Sequence, residues 1–200
     1  MGTKYLTDRA FTDYVHEHFA IPLIYNELGW IPQSLGGKLA ENADVLNGID
    51  YFLVDKSTSK IVTVQERFRE AKYQNYTDFT IRFEREFNKH EERKFSEYYK
   101  LEADFFVYGI IDRYKQYVEL ATGFIKYAVV DLHAINELIE SGQIVIDREL
   151  DSLRCQIIDG KMHCPVNYNK DKSSSFFPID IKLLIRLFPE RKVVIKQKGF

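Results

Sequence analysis

Cysteine is scarce in this sequence. Cys155 and Cys164 are its whole supply, too few for a disulfide framework. No apolar run approaches the ~20 residues of a membrane-spanning helix, and the N-terminus lacks the apolar core of a signal peptide. The expectation is a soluble, cytoplasmic chain without a membrane partner. An excess of either charge is also missing. Lys and Arg number 28 against 30 Asp and Glu, so the whole chain has no electrostatic footprint for nucleic acid. Any such surface must be a local patch balanced by acids elsewhere. There is no phosphate-binding glycine loop, no nucleophile elbow and no dinucleotide fingerprint. Neither an internal repeat nor a linker divides the chain, whose length suits one domain with a single sizeable core.

What is present is globular in character. Apolar residues make up 45% and charged residues 29%, which argues against disorder. The 13 Tyr and 15 Phe supply core, and tyrosines at a surface can also stack on bases. Residues 7–19 read as an amphipathic helix capped by Thr7, with Phe11, Tyr14, Val15, His18 and Phe19 on the buried stripe. Pro22 is placed to open a second helix and Gly29 to stop it. Residues 30–47 read as loop, with one helical turn near Glu41. Apolar strands are expected at 51–54, 61–64, 78–87, 103–111 and 124–132, and an exposed strand at 114–122. A charged surface helix at 91–100 and a helix from Leu132 closed by Gly142 complete the middle of the chain. The last third reads as a hairpin turning at Asp159-Gly160, a serine-rich loop, and a helix over 177–189. This order predicts a mixed α/β domain around one central sheet.

One stretch, residues 47–70, carries chemistry. Asp50 stands at the mouth of the first strand, and a polar triplet, Gln65-Glu66-Arg67, interrupts the second. With a period of two, Thr63, Gln65, Arg67 and Arg69 share one face, and Val64, Glu66 and Phe68 the other. A carboxylate from one strand and an amide oxygen from the next are hard donors of the kind Mg²⁺ takes. An ion so held would polarise a phosphodiester and generate the attacking hydroxide.

This layout resembles the PD-(D/E)xK nuclease superfamily, which includes restriction enzymes and archaeal Holliday junction resolvases. GID at 48–50 matches the acid that opens one family strand, and VQERF at 64–68 matches the next, with Gln65 as second metal ligand. The resemblance spans roughly residues 7–140. It implies a restriction endonuclease-like core, a central mixed β-sheet flanked by helices, with residues 143–200 as a C-terminal hairpin and helix extension. It also implies a Mg²⁺- or Mn²⁺-dependent DNA endonuclease, acting as a homodimer if both strands are cut. Asp50, Gln65 and Arg67 would be its catalytic residues, with Asp50 and Gln65 on the metal. Glu17, with Glu41 behind it, is the candidate for the family's helix-borne acid. A β-bulge at 65–68 would bring in Glu66 instead of Gln65. Arg67 replaces the family lysine. An arginine, with a pKa above ~12, cannot act as base, but it can orient water or hold a phosphate.

Blander readings stand beside these. Asp50 is also a common turn residue, and Gln65 with Arg67 would suit an exposed edge strand. Arg69, Lys72 and Arg82 suit a surface that tracks a nucleic-acid backbone, but the acids among them equally suit a solvated face. His16 and His18 fall on different helix faces, which argues against zinc, and both cysteines read as buried hydrophobes. Three functions therefore remain open: a metal-dependent endonuclease, a nuclease-fold protein that binds nucleic acid without cutting, and a non-enzymatic interaction protein.

Overall fold

Strands account for most of the interior of this computed structural model, which describes residues 3–33, 47–84 and 97–200. They are β1 (Trp30–Gln33), β2 (Tyr51–Asp55), β3 (Ile61–Arg69), β4 (Asp78–Glu84), β5 (Phe105–Ile111) and β6 (Phe124–Asp131). The second half adds β7 (Ile144–Asp147), β8 (Gln156–Ile158), β9 (Lys161–Pro165), β10 (Asn167–Tyr168), β11 (Ser175–Asp180) and β12 (Val194–Lys198). A six-stranded sheet runs β1-β2-β3-β5-β6-β12, and β10-β11-β4 and β7-β9-β8 form two smaller sheets. In the large sheet β3 and β5 are parallel while the other neighbours are antiparallel, so it is mixed. The architecture is α+β around a central mixed sheet.

The large sheet is covered on both faces, which is why its strands are so apolar. One face packs on a helical layer, α1 (Thr3–Val15) continuing into a π-helical segment His16–Tyr25 and a last turn Asn26–Leu28. Phe11, Val15, Phe19, Ile24 and Tyr25 meet Val62, Val64, Phe68, Val107 and Val129 there. The other face packs on β4 and β11, on α2 (Leu132–Glu140) and on α3 (Ile181–Leu187). The rings of Phe79 and Phe106 stack 4.5 Å apart across this second layer. Thr63 ties β3 to the start of β5, its N–H and hydroxyl both donating to Asp104 Oδ2 at 2.7 Å. Burial works to raise the Asp104 pKa, but the donors from Thr63 and His133 outweigh it and hold the carboxyl below the usual range.

Several expectations are met. The strands at 51–54, 61–64, 103–111 and 124–132 are there, the one expected at 78–87 is there over Asp78–Glu84 with residues 85–87 outside the described ones, and the C-terminal hairpin turns on Asp159 and Gly160, both at positive φ (49° and 75°). Others are not. The first helix begins at Thr3, and Pro22 lies inside the π-helical segment rather than at a new start. His18 is exposed while His16 is buried, because the winding widens at that point. Residues 30–33 form β1. Lys115–Leu120 is a 3₁₀ turn, closed behind by Thr122 N–H donating to Asp112 Oδ1 at 3.0 Å, where a strand was expected. The helix expected over 177–189 starts only at Ile181. Pro178 instead pairs in β11 opposite Thr80, and Asp180 caps α3 by accepting from Leu183 N–H at 3.0 Å. Among the described residues no helix is long and apolar enough to cross a membrane.

The layers meet tightly at Gly109 in β5. A Cβ added there would collide with the Phe124 ring and lie 3.1 Å from Phe68 Cδ1. Gly109→Ala is expected to overpack this spot and to cost about 1–3 kcal/mol. A urea unfolding curve would record it as a lower midpoint with unchanged slope.

Candidate functional site

β3 outlasts β2. Their ladder ends at Tyr51 opposite Val64, but β3 runs on through Gln65, Glu66 and Arg67 to Arg69, held on its other edge by β5 in continuous register from Val64 to Arg69. The strand does not bulge, so the triplet alternates strictly between the two faces. The condition under which Glu66 would join Gln65 is therefore not met.

Glu66 points into the helical layer with none of its side chain exposed. Its Oε1 accepts from the Tyr25 hydroxyl and lies 2.8 Å from His16 Nδ1, the nitrogen that must carry the proton toward a carboxylate. Its Oε2 has no hydrogen-bond partner among the described residues. The His16 ring stacks on Tyr51 at 3.6 Å and 7°. Winding makes this convergence possible. His16 and Tyr25 are nine residues apart, and at about 100° per residue an α-helix would set them on opposite sides. At about 4.4 residues per turn of i→i+5 winding, nine residues make roughly two full turns and both face Glu66. Burial first, and then the charge and hydrogen bond of Glu66, push the Tyr25 phenol well above its ordinary pKa. Burial and the charges of Glu66 and Asp13 do the same for Tyr51.

Asp50 closes the edge that β2 leaves open. Its N–H donates to Val64 O at 2.9 Å, and its Oδ2 accepts from the Glu66 backbone N–H at 2.7 Å. The carboxylate thus takes the place of a missing strand for a donor that must be satisfied. The ladder's last pair is Tyr51–Val64, so Asp50 lies just past its end, while Gln65 takes the face of β3 opposite to Glu66.

On that face Gln65, Arg67 and Arg69 follow one another at about 6.7 Å per step. The Arg67 guanidinium donates to the Thr80 carbonyl oxygen and, at 3.3 Å, to Thr80 Oγ1, and it lies 5.6 Å from the centre of the Phe106 ring. Arg67, Arg69 and Arg82 line a cleft of about 420 Å³, with Asn169, Ser174 and Phe176 opposite them. A second pocket of about 290 Å³ adjoins it, sharing Arg69, Thr80 and Phe176, and is walled by Tyr73, Tyr76 and Tyr108 with Asp78 at its side. Arg69 lies over the Tyr73 ring at 5.4 Å. Burial, and then the neighbouring Asp180, raise the Asp78 carboxyl above its usual range. Burial pushes the Tyr108 phenol up to about 12, against the pull of Arg69 and Arg67.

The structure thus brings Gln65, Arg67 and Arg69 to one side of β3 with Arg82 beside them, sends Glu66 to the other side, and leaves Asp50 at the strand edge against the Glu66 backbone. Glu17 is exposed on the helical segment, one residue round from His16. Lys72 is exposed at the rim, paired with Glu70, its ammonium 5.1 Å from the centre of the Tyr73 ring. Glu41 and the basic residues Arg85, Lys89, Arg93 and Lys94 lie outside the described residues. Sequence reasoning missed Tyr25 and His16 as partners of Glu66. A spacing of nine signals a shared face only in a π-helix, and nothing local announces one. It also missed Asn169 and Ser174, whose only signal was their place in a polar loop. No protein-family model, curated protein or solved structure matches this chain.

The raised pKa of Tyr25 has a definite sign in stability. The folded state keeps the phenol protonated, so its contribution is whole below the unfolded value of about 10 and is lost as pH climbs beyond it. Tyr25→Phe is expected to cost about 1–3 kcal/mol at neutral pH, because Glu66 loses a donor in a buried place. Urea titrations repeated in alkaline buffer should show the wild-type falling more steeply than the variant. Equal slopes would contradict the assignment.

Proposed function

We propose that this chain is a nuclease of the PD-(D/E)xK type that hydrolyses a phosphodiester with a divalent cation. The observation that carries the reading is the Asp50 carboxylate held at the edge of β3 by the Glu66 N–H, on the strand that carries Gln65 and, beside the cleft, Arg67 and Arg69. A carboxylate and an amide oxygen are both hard donors, and they fit Mg²⁺ or Mn²⁺, which take oxygens and keep several waters. Bound there, the ion would supply Lewis acidity toward the phosphate and a more acidic water.

The chain's own residues do the rest. Asp50 is held in place by the Glu66 N–H donating to its carboxylate. Arg67 stays protonated and serves as a phosphate or water holder, not as a base. A guanidinium carries five N–H donors, so anchorage on Thr80 is compatible with that role. Arg69 extends the positive surface along β3 and Arg82 adds to it from β4, where DNA phosphates would release counterions on contact. Arg67 also favours a second reading: with no base at this position, the protein would bind nucleic acid in the cleft and leave it intact.

Plasmid, linear and branched DNA incubated with Mg²⁺ or Mn²⁺ separate the two. Asp50→Asn keeps an acceptor for the Glu66 N–H while removing the charge. It and Gln65→Ala are expected to abolish cleavage and leave binding within a few-fold. Cleavage that persists in Asp50→Asn would remove the metal assignment. Intact DNA with tight binding by the wild type would select the second reading, and failure to bind at low salt would end both. Arg69→Ala should weaken binding to all sequences alike and flatten the logarithmic salt dependence by about 0.7–0.9.

A further inference from the structure

The arginine cleft adjoins the tyrosine-walled pocket, with Arg69, Thr80 and Phe176 belonging to both. The two halves differ in chemistry. The first offers three guanidinium groups and the amide and hydroxyl of Asn169 and Ser174. The second is mostly apolar, with the Tyr73 and Tyr76 rings 6.0 Å apart at 54° near its mouth and Tyr108 buried at its floor. Asp78 and Asn167 interrupt its walls, with Thr80 and Arg69 where it meets the cleft. An apolar cavity with a few placed polar groups is the ordinary form of a small-ligand site. Here it sits one strand step from a phosphate-binding row.

We propose that the pocket takes the base of one unstacked nucleotide, in a single strand or at an unpaired position, whose phosphates lie along Arg67, Arg69 and Arg82. The inference rests on the reading of that row as the backbone surface and names its substrate class. Aromatic rings stack on any base through its π-face, and Arg69 over Tyr73 adds a cation to the same wall. Asp78 and Asn167 face the base edge, where a carboxyl or amide pairs with exocyclic amino groups. The Asp78 carboxyl, raised by burial and by Asp180, both donates and accepts when protonated, which widens the edges it can meet. A paired base in an intact duplex is out of reach of this pocket. Strands with unpaired bases avoid the cost of extrusion and are preferred. Tyr76, 49% exposed, is the ring at the mouth, so its replacement tests stacking without opening the core.

The experiment is fluorescence anisotropy on the full chain. The probes are a short mixed-sequence single strand, its perfect duplex, the same duplex with one bulged base, and a nucleoside 5′-monophosphate. The single strand and the bulged duplex are expected to bind at least roughly ten-fold more tightly than the perfect duplex. Tyr76→Ala should remove that preference, weakening both by roughly ten-fold while leaving duplex affinity and its salt slope unchanged. Tyr76→Phe should retain it, because the ring and not the hydroxyl does the stacking. Equal affinity for single strand and duplex, or a Tyr76→Ala variant with wild-type preference, overturns the base pocket while the backbone reading stands. A monophosphate bound as tightly as the strand overturns the assignment to a polymer. Failure of every nucleic acid to bind at low salt overturns this inference and the backbone reading together.

Discussion

A carboxylate with no exposure to water is the constraint on which the rest of this structure depends. Burying an isolated acid costs several kcal/mol even after relaxation, so Glu66 must be met by donors wherever the chain places it. Tyr25 and His16 meet it, and they do so only because ten residues wind as a π-helix. Such winding is rare at this length, and relaxing it to an α-helix would swing one of the two partners half a turn away. The helical layer is thereby pinned to the middle of β3. Fixing Glu66 on that side also fixes Gln65 and Arg67 on the other, since a strand offers no third direction.

Asp50 belongs to the same system by another route. It satisfies the Glu66 backbone, not its side chain, and so joins the two faces of the sheet at one residue. A group recruited to cap a strand edge is held rigidly by that bond. The cleft beyond it shows how a chain of net charge −2 can present a concentrated positive surface. Three arginines are gathered by two strands, Arg67 and Arg69 from β3 and Arg82 from β4, and several acids pair with other groups. Glu84 pairs with Arg148, Glu70 with Lys72, and Asp104 with Thr63 and His133. Field strength at a surface depends on local arrangement and not on the total.

Much of this was legible beforehand, and for physical reasons. Strands covered on both faces must be apolar throughout, so β5 and β6 declare themselves without reference to their neighbours. The Asp159-Gly160 turn is equally local, because only certain residues accept two successive positive φ angles. Lys115–Leu120 and Phe177–Asp180 were misread because their short patterns suit either period. In the second case the capping geometry of Asp180 decided where the strand gave way to helix.

By itself the sequence determined which residues could share a side: Gln65 with Arg67 and Arg69, and Glu66 against them. That follows from the period of two in a strand, which holds whatever packs around it. It also made Asp50 and the triplet conspicuous, because polar groups inside apolar strands are costly without partners. Only the tertiary structure decided who those partners are. Forty-one residues of chain separate Tyr25 from Glu66, and the arginine row meets Asn169 and Ser174 across longer stretches still. Contacts of that separation are set by how layers stack and how a helix winds, and neither is written in any local pattern.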